Sequence, residues 1–158
     1  MTSVKWLRNI EVVDRPCTGF QQTAAYRYQR DAEDPGLPVS RIRVRALMIP
    51  PGIPDFQSPR GTVEAGAVVL RGRMWCGTSP VVRVEVGGDG VWRDADLDRG
   101  AAEFAWRSWS YTWDVRPGTY RLSCRATDAG RNVHPAEQFW NRQGMGNNLI
   151  QEFPVTVR

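Results

Sequence analysis

The segment YRLSCRATDAGRNVHPAEQFWNRQGMGNN, residues 120–148, decides how this chain is read. Its first part alternates, with Tyr120, Leu122, Cys124 and Ala126 on one face and Arg121, Ser123, Arg125 and Thr127 on the other. That period of two predicts a half-buried strand. The strand should stop at Asp128-Ala129-Gly130 and Arg131-Asn132, because glycine tolerates positive φ and Asp and Asn side chains bond their own backbone. A long polar loop follows, carrying Phe139, Trp140 and Asn141 and closing on Gly144, Met145, Gly146, Asn147 and Asn148. Long loops with aromatic anchors tend to carry function. Asn141, Asn147 and Asn148 read as loop-locking residues whose amides bond backbone groups.

Working back from this segment, Pro117-Gly118 makes a corner, and before it lies the most aromatic stretch, residues 104–113. Phe104 and Trp106 share one face by period two, while Trp109, Tyr111 and Trp113 share the other. The change of face predicts a bulge near Arg107-Ser108, or a strand held between the core and a partner. Two readings stay open: tryptophans filling a sheet-on-sheet core, or a face that meets another subunit, since aromatics and Arg favour interface centres. On the second reading Trp106, Arg107, Trp109 and Trp113 are the interface candidates. Removing the Trp109 ring is then expected to weaken self-association, and removing that of Trp106 to weaken folding. Further back, Val82, Val84 and Val86 alternate with Arg83 and Glu85 before Gly87-Gly88-Asp89-Gly90 and Val91-Trp92-Arg93, a hairpin signal. Residues 68–76 predict another strand, with Gly72 marking a bulge or a close backbone approach. Residues 62–66 give a short strand and turn, and residues 41–45 alternate basic and apolar side chains as one more strand. Pro50-Pro51-Gly52-Ile53-Pro54 is a stiff connector. The domain boundary is expected there, with residues 1–49 before it and a sandwich over 54–158. Residues 29–36 are polar and turn-prone.

With 158 residues, 11 prolines and 15 glycines, the chain suits a single domain of short strands with an appendage. The formal net charge of +4 is scattered rather than blocked, and Lys5 is the sole lysine among 21 basic residues. A solvated surface explains this better than a nucleic-acid interface. Cys17, Cys76 and Cys124 show no metal-ligand spacing and His134 is the sole histidine, so no protein-only metal site is expected. The cysteines read as free thiols in a reducing compartment. No signal-like start and no long apolar run is present, so a cytoplasmic location and no membrane partner are the expectation.

The segment Cys124-Arg125-Ala126-Thr127-Asp128, the following Asn132-Val133-His134-Pro135 and the Trp140-Asn141…Gly144…Asn147-Asn148 loop together resemble the C-terminal dimerisation domain of the sulfite oxidase family of molybdenum-cofactor oxidoreductases. Near the start, Ser3-Val4-Lys5-Trp6-Leu7 resembles a run late in that family's cofactor-binding domain. The resemblance implies an all-β, immunoglobulin-like (E-set or fibronectin-like) β-sandwich with an irregular N-terminal extension that is a remnant of the molybdopterin-binding domain. It implies a homodimer or an upstream molybdopterin-binding partner chain, and molybdenum-molybdopterin as the parent enzyme's cofactor. Ser3, Val4 and Lys5 would approach the pterin phosphate, since a hydroxyl, amides and an ammonium suit a dianion. No metal-ligating cysteine is expected in this chain, nor activity of the chain alone. The loop residues Trp140, Asn141, Arg142 and Gln143 would form a substrate-entrance rim. The family's animal enzymes carry an arginine where Gln143 stands, and either Arg142 replaces that charge or it is an ordinary surface residue. Two other functions stay open: an independent binding module using Trp92 or Trp109 for carbohydrate, and a nucleic-acid binder with salt-sensitive affinity.

Overall fold

A computed structural model describes residues 5–54, 60–88, 90–99, 102 and 105–158. After a single π-helical turn at Gln21–Ala25, the described residues form strands β1 (Arg27–Tyr28), β2 (Leu37–Pro38), β3 (Arg45–Ile49), β4 (Ile53–Pro54), β5 (Gly61–Val63), β6 (Gly66–Trp75), β7 (Val81–Gly88), β8 (Val91–Asp94), β9 (Asp96–Leu97), β10 (Arg107–Val115), β11 (Gly118–Asp128) and β12 (Glu152–Val157). One compact unit comprises residues 40–140 and 146–158, and a smaller one residues 1–39 and 141–145.

The larger unit is a β-sandwich. One sheet runs β3-β6-β10-β9 and the other β4-β5-β12-β11-β7-β8. All the ladders are antiparallel except β12 with β5. The inward residues obey the period of two: Leu70 and Met74 from β6, Val84 and Val86 from β7, Leu122, Cys124 and Ala126 from β11, and Val155 and Val157 from β12 are all buried. Ser123 is buried as well, between Gly87 and Glu152 in the ladders on either side. The β7–β8 hairpin closes with Gly88 opposite Val91, as the Gly-rich turn requires.

The Trp-rich stretch folds differently from its sequence pattern. Strand β10 begins at Arg107, and its register with β6 runs unbroken from Arg107 opposite Met74 to Val115 opposite Gly66. No bulge is therefore needed. Trp106 changes face because it lies outside the strand, where it stacks on Trp75 with ring centroids 6.0 Å apart. Phe104 lies outside the described residues. Trp109 is 2% exposed and Trp106 49%, so burial exchanges the roles expected for these two rings. Trp109 faces Gly72 in the ladder, and a Cβ at position 72 would collide with the Trp109 ring and the Leu47 carbonyl oxygen. Gly72 is the close approach anticipated from sequence, without the bulge. Its missing side chain is the space the indole fills, while Trp109 Nε1 donates to the Arg73 carbonyl at 3.3 Å. Trp113 is half-buried, edge-on to Tyr120 at 5.1 Å. Arg107 braces the fold, donating to the carbonyls of Val81 and Asp98.

The strand expected over residues 41–45 also moves. Residues 45–49, rather than 41–45, form the strand, because Arg45 to Ile49 pair with Trp75 to Arg71. Ile53–Pro54, inside the connector, pairs with β5. The division into compact units falls between residues 39 and 40. Alternation alone cannot say where a partner strand's ladder begins.

Candidate functional site

The long loop after β11 starts at a polar corner. Asp128 accepts bonds from the Asn132 main-chain N–H at 2.9 Å and from its side-chain amide at 2.9 and 3.1 Å. Burial opposes the Asp128 charge, but these bonds, helped by Ser79 and Cys76, outweigh it and hold its pKa below the ordinary value. The turn chemistry read from Asp128 and Asn132 is thus the lock of the corner.

From there the loop covers the open edge of β3. The His134 Nδ1 accepts from the Ala46 N–H at 3.4 Å, and the Asn148 side-chain amide donates to the Val44 carbonyl at 3.0 Å. Two side chains therefore complete main-chain bonding that a missing neighbour strand would supply, which protects the edge. His134 is 1% exposed. Burial, and then the Arg45 guanidinium, push its pKa down to about 4, against a smaller opposing pull from the main chain at Leu149 and Asn148. The ring is neutral at pH 7, with its proton on Nε2 because Nδ1 is the acceptor. The Asn147 carbonyl accepts from Arg45, and its side chain accepts from the Leu149 N–H at 2.9 Å. Sequence reasoning missed the role of His134; a lone buried-type histidine beside a motif asparagine was the available signal.

In the smaller unit, Asn141 is buried and closes residues 141–145 on themselves. Its amide donates to the Met145 carbonyl at 2.7 Å and its oxygen accepts the Met145 N–H at 2.9 Å. This lock holds Arg142 and Gln143 exposed at the tip, with the Arg142 N–H bonded to the Gln29 carbonyl at 2.7 Å. Residues 29–36 are ordered by carboxylates: Asp31 caps the N–H groups of Glu33 and Asp34, and Asp34 caps those of Arg30 and Gly36. The Arg30 and Gly36 amides, with the Arg30 side chain, pull the Asp34 pKa down to about 2. Gly36 sits at φ 61°, where a Cβ would strike the Tyr28 carbonyl. The Arg27 guanidinium fastens the hairpin by donating to the Pro35 and Gly36 carbonyls.

These elements enclose an open cleft of about 520 Å³ lined by Thr23, Ala24, Arg27, Gln29, Pro35, Arg142 and Gln143. Both charged residues in the lining are arginines, and the two glutamines add amide donors. Such a lining suits a small oxyanion or an anionic group in transit. Arg142 and Gln143 of the expected rim lie in this lining, and Arg27 and Gln29 join them only through folding, because nothing in the sequence linked them to residues more than a hundred positions away. Trp140 is 69% and Phe139 73% exposed. Of the Ser3, Val4 and Lys5 set, Ser3 and Val4 lie outside the described residues, and Lys5 is exposed.

Among the described residues, no group of three or more His, Cys, Asp or Glu side chains could hold a metal ion. Cys17 is exposed, while Cys76 and Cys124 are buried free thiols. Burial pushes the Cys124 thiol up to about 12, with Arg45 opposing, so it is no thiolate ligand. The described residues do not fit a molybdenum site. The carbohydrate platforms considered from sequence fare no better. Trp109 is in the core, and the face of Trp92 is covered by the Arg125 guanidinium at 4.3 Å, itself paired with Glu85 at 2.7 and 3.0 Å.

The family model described as the Mo-co oxidoreductase dimerisation domain matches residues 53–158, and the chain belongs to this family. Human mitochondrial sulfite oxidase is 38% identical over 107 residues, covering 61% of this chain and 20% of that protein. An NADH nitrate reductase of Phaseolus vulgaris is 26% identical over 168 residues, covering 92% of this chain and 19% of that protein. The fold is similar to that of the sulfane dehydrogenase SoxCD from Paracoccus pantotrophus, with a TM-score of 0.70 at 21% identity, over 87% of this chain and 36% of that one. The chain thus spans about a fifth of these two relatives and about a third of the SoxCD chain. No helix among the described residues is long and apolar enough to cross a membrane.

Proposed function

We propose that this chain is the dimerisation portion of a sulfite-oxidase-type, molybdopterin-dependent oxidoreductase, forming a homodimer interface and contributing one rim of an active site held elsewhere. The observation that carries the reading is the exposure of apolar side chains along the N-terminal segment. Trp6 is 93% and Val12 94% exposed, with Leu7, Ile10, Val13 and Phe20 also open to solvent. Apolar surface on this scale marks a face that another body covers. The body that fits is the molybdopterin-binding domain or chain, against which Ser3, Val4 and Lys5 would face the cofactor's phosphate. The molybdenum-molybdopterin group would supply two-electron, oxygen-atom chemistry from that body.

The cleft beside Arg142 and Gln143 supports a rim role. Sulfite and nitrate, named in two relatives, are small oxyanions, and the paired guanidinium groups of Arg27 and Arg142 would raise their local concentration. The test is elemental mass spectrometry of the tagged chain purified gently from its native host. Molybdenum retained together with a second polypeptide or upstream domain is the expected result, reduced when Trp6 and Val12 are changed to Ser. Recovery of the chain without metal or partner, from cells that make the cofactor, would overturn the reading.

A further inference from the structure

We propose that the outer face of the four-stranded sheet docks a second copy of this chain about a two-fold axis along β10, setting Arg71 and Arg73 of each copy against the partner's Asp96 and Asp98. The inference rests on the homodimer reading and assigns its surface. In the sheet order β3-β6-β10-β9, two rows of the outer face repeat one pattern. Ile49, Arg71, Ser110 and Asp96 are opposite one another in successive ladders. Leu47, Arg73 and Ser108 form the next row, which Asp98 joins by donating its main-chain N–H to the Ser108 carbonyl at 3.0 Å. Each row reads apolar, basic, hydroxyl, acidic. The alternate residues Met48, Gly72 and Trp109 belong to the core side, so these rows are what the sheet offers to solvent.

The pattern is self-complementary. A rotation about an axis lying along β10, parallel to the strands, keeps each residue at its height along the sheet. It lays β10 on the partner's β10 and β6 on the partner's β9, one strand spacing of about 4.8 Å to either side. Arginine rows then meet aspartate rows at matching heights on both sides of the axis. Ser108 and Ser110 lie on the axis at the height of the charged rows, where small side chains let two sheets approach closely, and Asp114, exposed on the same face of β10, lies four residues further along. The trough between the arginine and aspartate walls, about 320 Å³ and lined by Ile49, Arg71, Arg73, Asp96, Asp98, Ser108 and Ser110 among others, is the space that closes. Ile49 (56% exposed), Val69 (47%) and Trp106 (49%) flank it with apolar surface. With the axis on β10, strands β6, β10 and β9 of each copy face one another over about 14 Å, while β3 overhangs. The balance of two arginines and two aspartates selects the occupant. A uniformly basic or acidic partner would leave like charges opposed, whereas a second copy pairs all four.

Sedimentation equilibrium of the full chain at several concentrations and salt levels tests this. The double variant R71D/R73D, and separately D96R/D98R, are expected to weaken the dimer by at least about 100-fold, and the combined quadruple variant to restore it to within about tenfold. Ser110→Trp alters no charge and is expected to break the dimer by wedging the axis, while circular dichroism keeps the native signal. A wild-type dimer unaffected by either double variant would overturn this surface and leave the homodimer reading standing. Loss in both double variants without restoration in the quadruple would overturn the Arg–Asp pairing. A wild-type chain that stays monomeric at every concentration would overturn the homodimer reading and this inference with it.

Discussion

The two units of this chain are held by different physics. The sandwich is built by burial: its core runs through Val44, Leu70, Met74, Val84, Val86, Trp109, Leu122, Ala126 and Val155, and each Val, Leu or Met among them removes enough apolar area from water to contribute about 1.5–3 kcal/mol. The smaller unit buries no apolar side chain among its described residues. Asn141, Asp31, Asp34 and Arg27 hold its turns together by bonding main-chain groups. Hydrogen bonds of this kind contribute about 0.5–1.5 kcal/mol each. They set a shape without the cooperativity of a core, which is how a loop can be specific in form and still local in stability.

The largest expected effect is in the core. Trp109→Ala should cost about 3–5 kcal/mol in chemical denaturation, because it empties the space over Gly72. Gly72→Val should be comparably harmful, and its cost should shrink when combined with Trp109→Ala, as expected for residues that share one space. Full additivity of the two would break the account of why Gly72 is a glycine.

Next in size is a pH effect at the join of loop and edge strand. The unfolded His134 takes up its proton near pH 6.5, whereas the folded ring resists until about pH 4. Between those values the unfolded state binds more protons, so stability rises with pH. The contribution is full above about pH 6.5 and is lost as pH falls toward 4, amounting to about 3 kcal/mol across the window. Denaturation midpoints at pH 7 and pH 4.5, compared with those of His134→Gln, check this; an equal pH slope in both proteins would remove His134 as its source.

A smaller and more local effect is expected in the other unit. Asn141→Ala removes both bonds to Met145 and should cost about 1–3 kcal/mol of local stability, seen as faster amide exchange at Met145 and Arg142. The exchange of core amides such as that of Val84 should not change. Matching acceleration in both places would erase the contrast between the units. Smallest is Trp106→Ala, expected to shift folding stability by less than about 1 kcal/mol, since half the ring is already in solvent.

Much of this was legible in the sequence, and the parts that were not have identifiable causes. The alternation over residues 120–127 gave the inward face of β11 because a strand flanked on both sides must sort its side chains by period. The Gly-rich turn before Val91 gave the hairpin, and Gly72 was correctly suspected of close approach. The faces of Trp106 and Trp109 were read the wrong way round. Periodicity was extended across Trp106, which lies one residue outside β10, and the choice of which face meets the core belongs to the opposite sheet. Arg142 and Gln143 belong to the loop motif itself, whereas Arg27 and Gln29 became neighbours of that loop only through folding.

By itself the sequence determined local matters: strands from alternation, corners from Gly, Pro, Asp and Asn, and the self-locking of the loop by Asn141, all of which act over a few residues. The tertiary structure decided what depends on distant partners. It put Trp109 inside and Trp106 outside, made His134 and Asn148 the cover of an edge strand about a hundred residues earlier, and lined up arginines, serines and aspartates across three strands. Those outcomes come from ladder register and burial, which no stretch of chain carries alone.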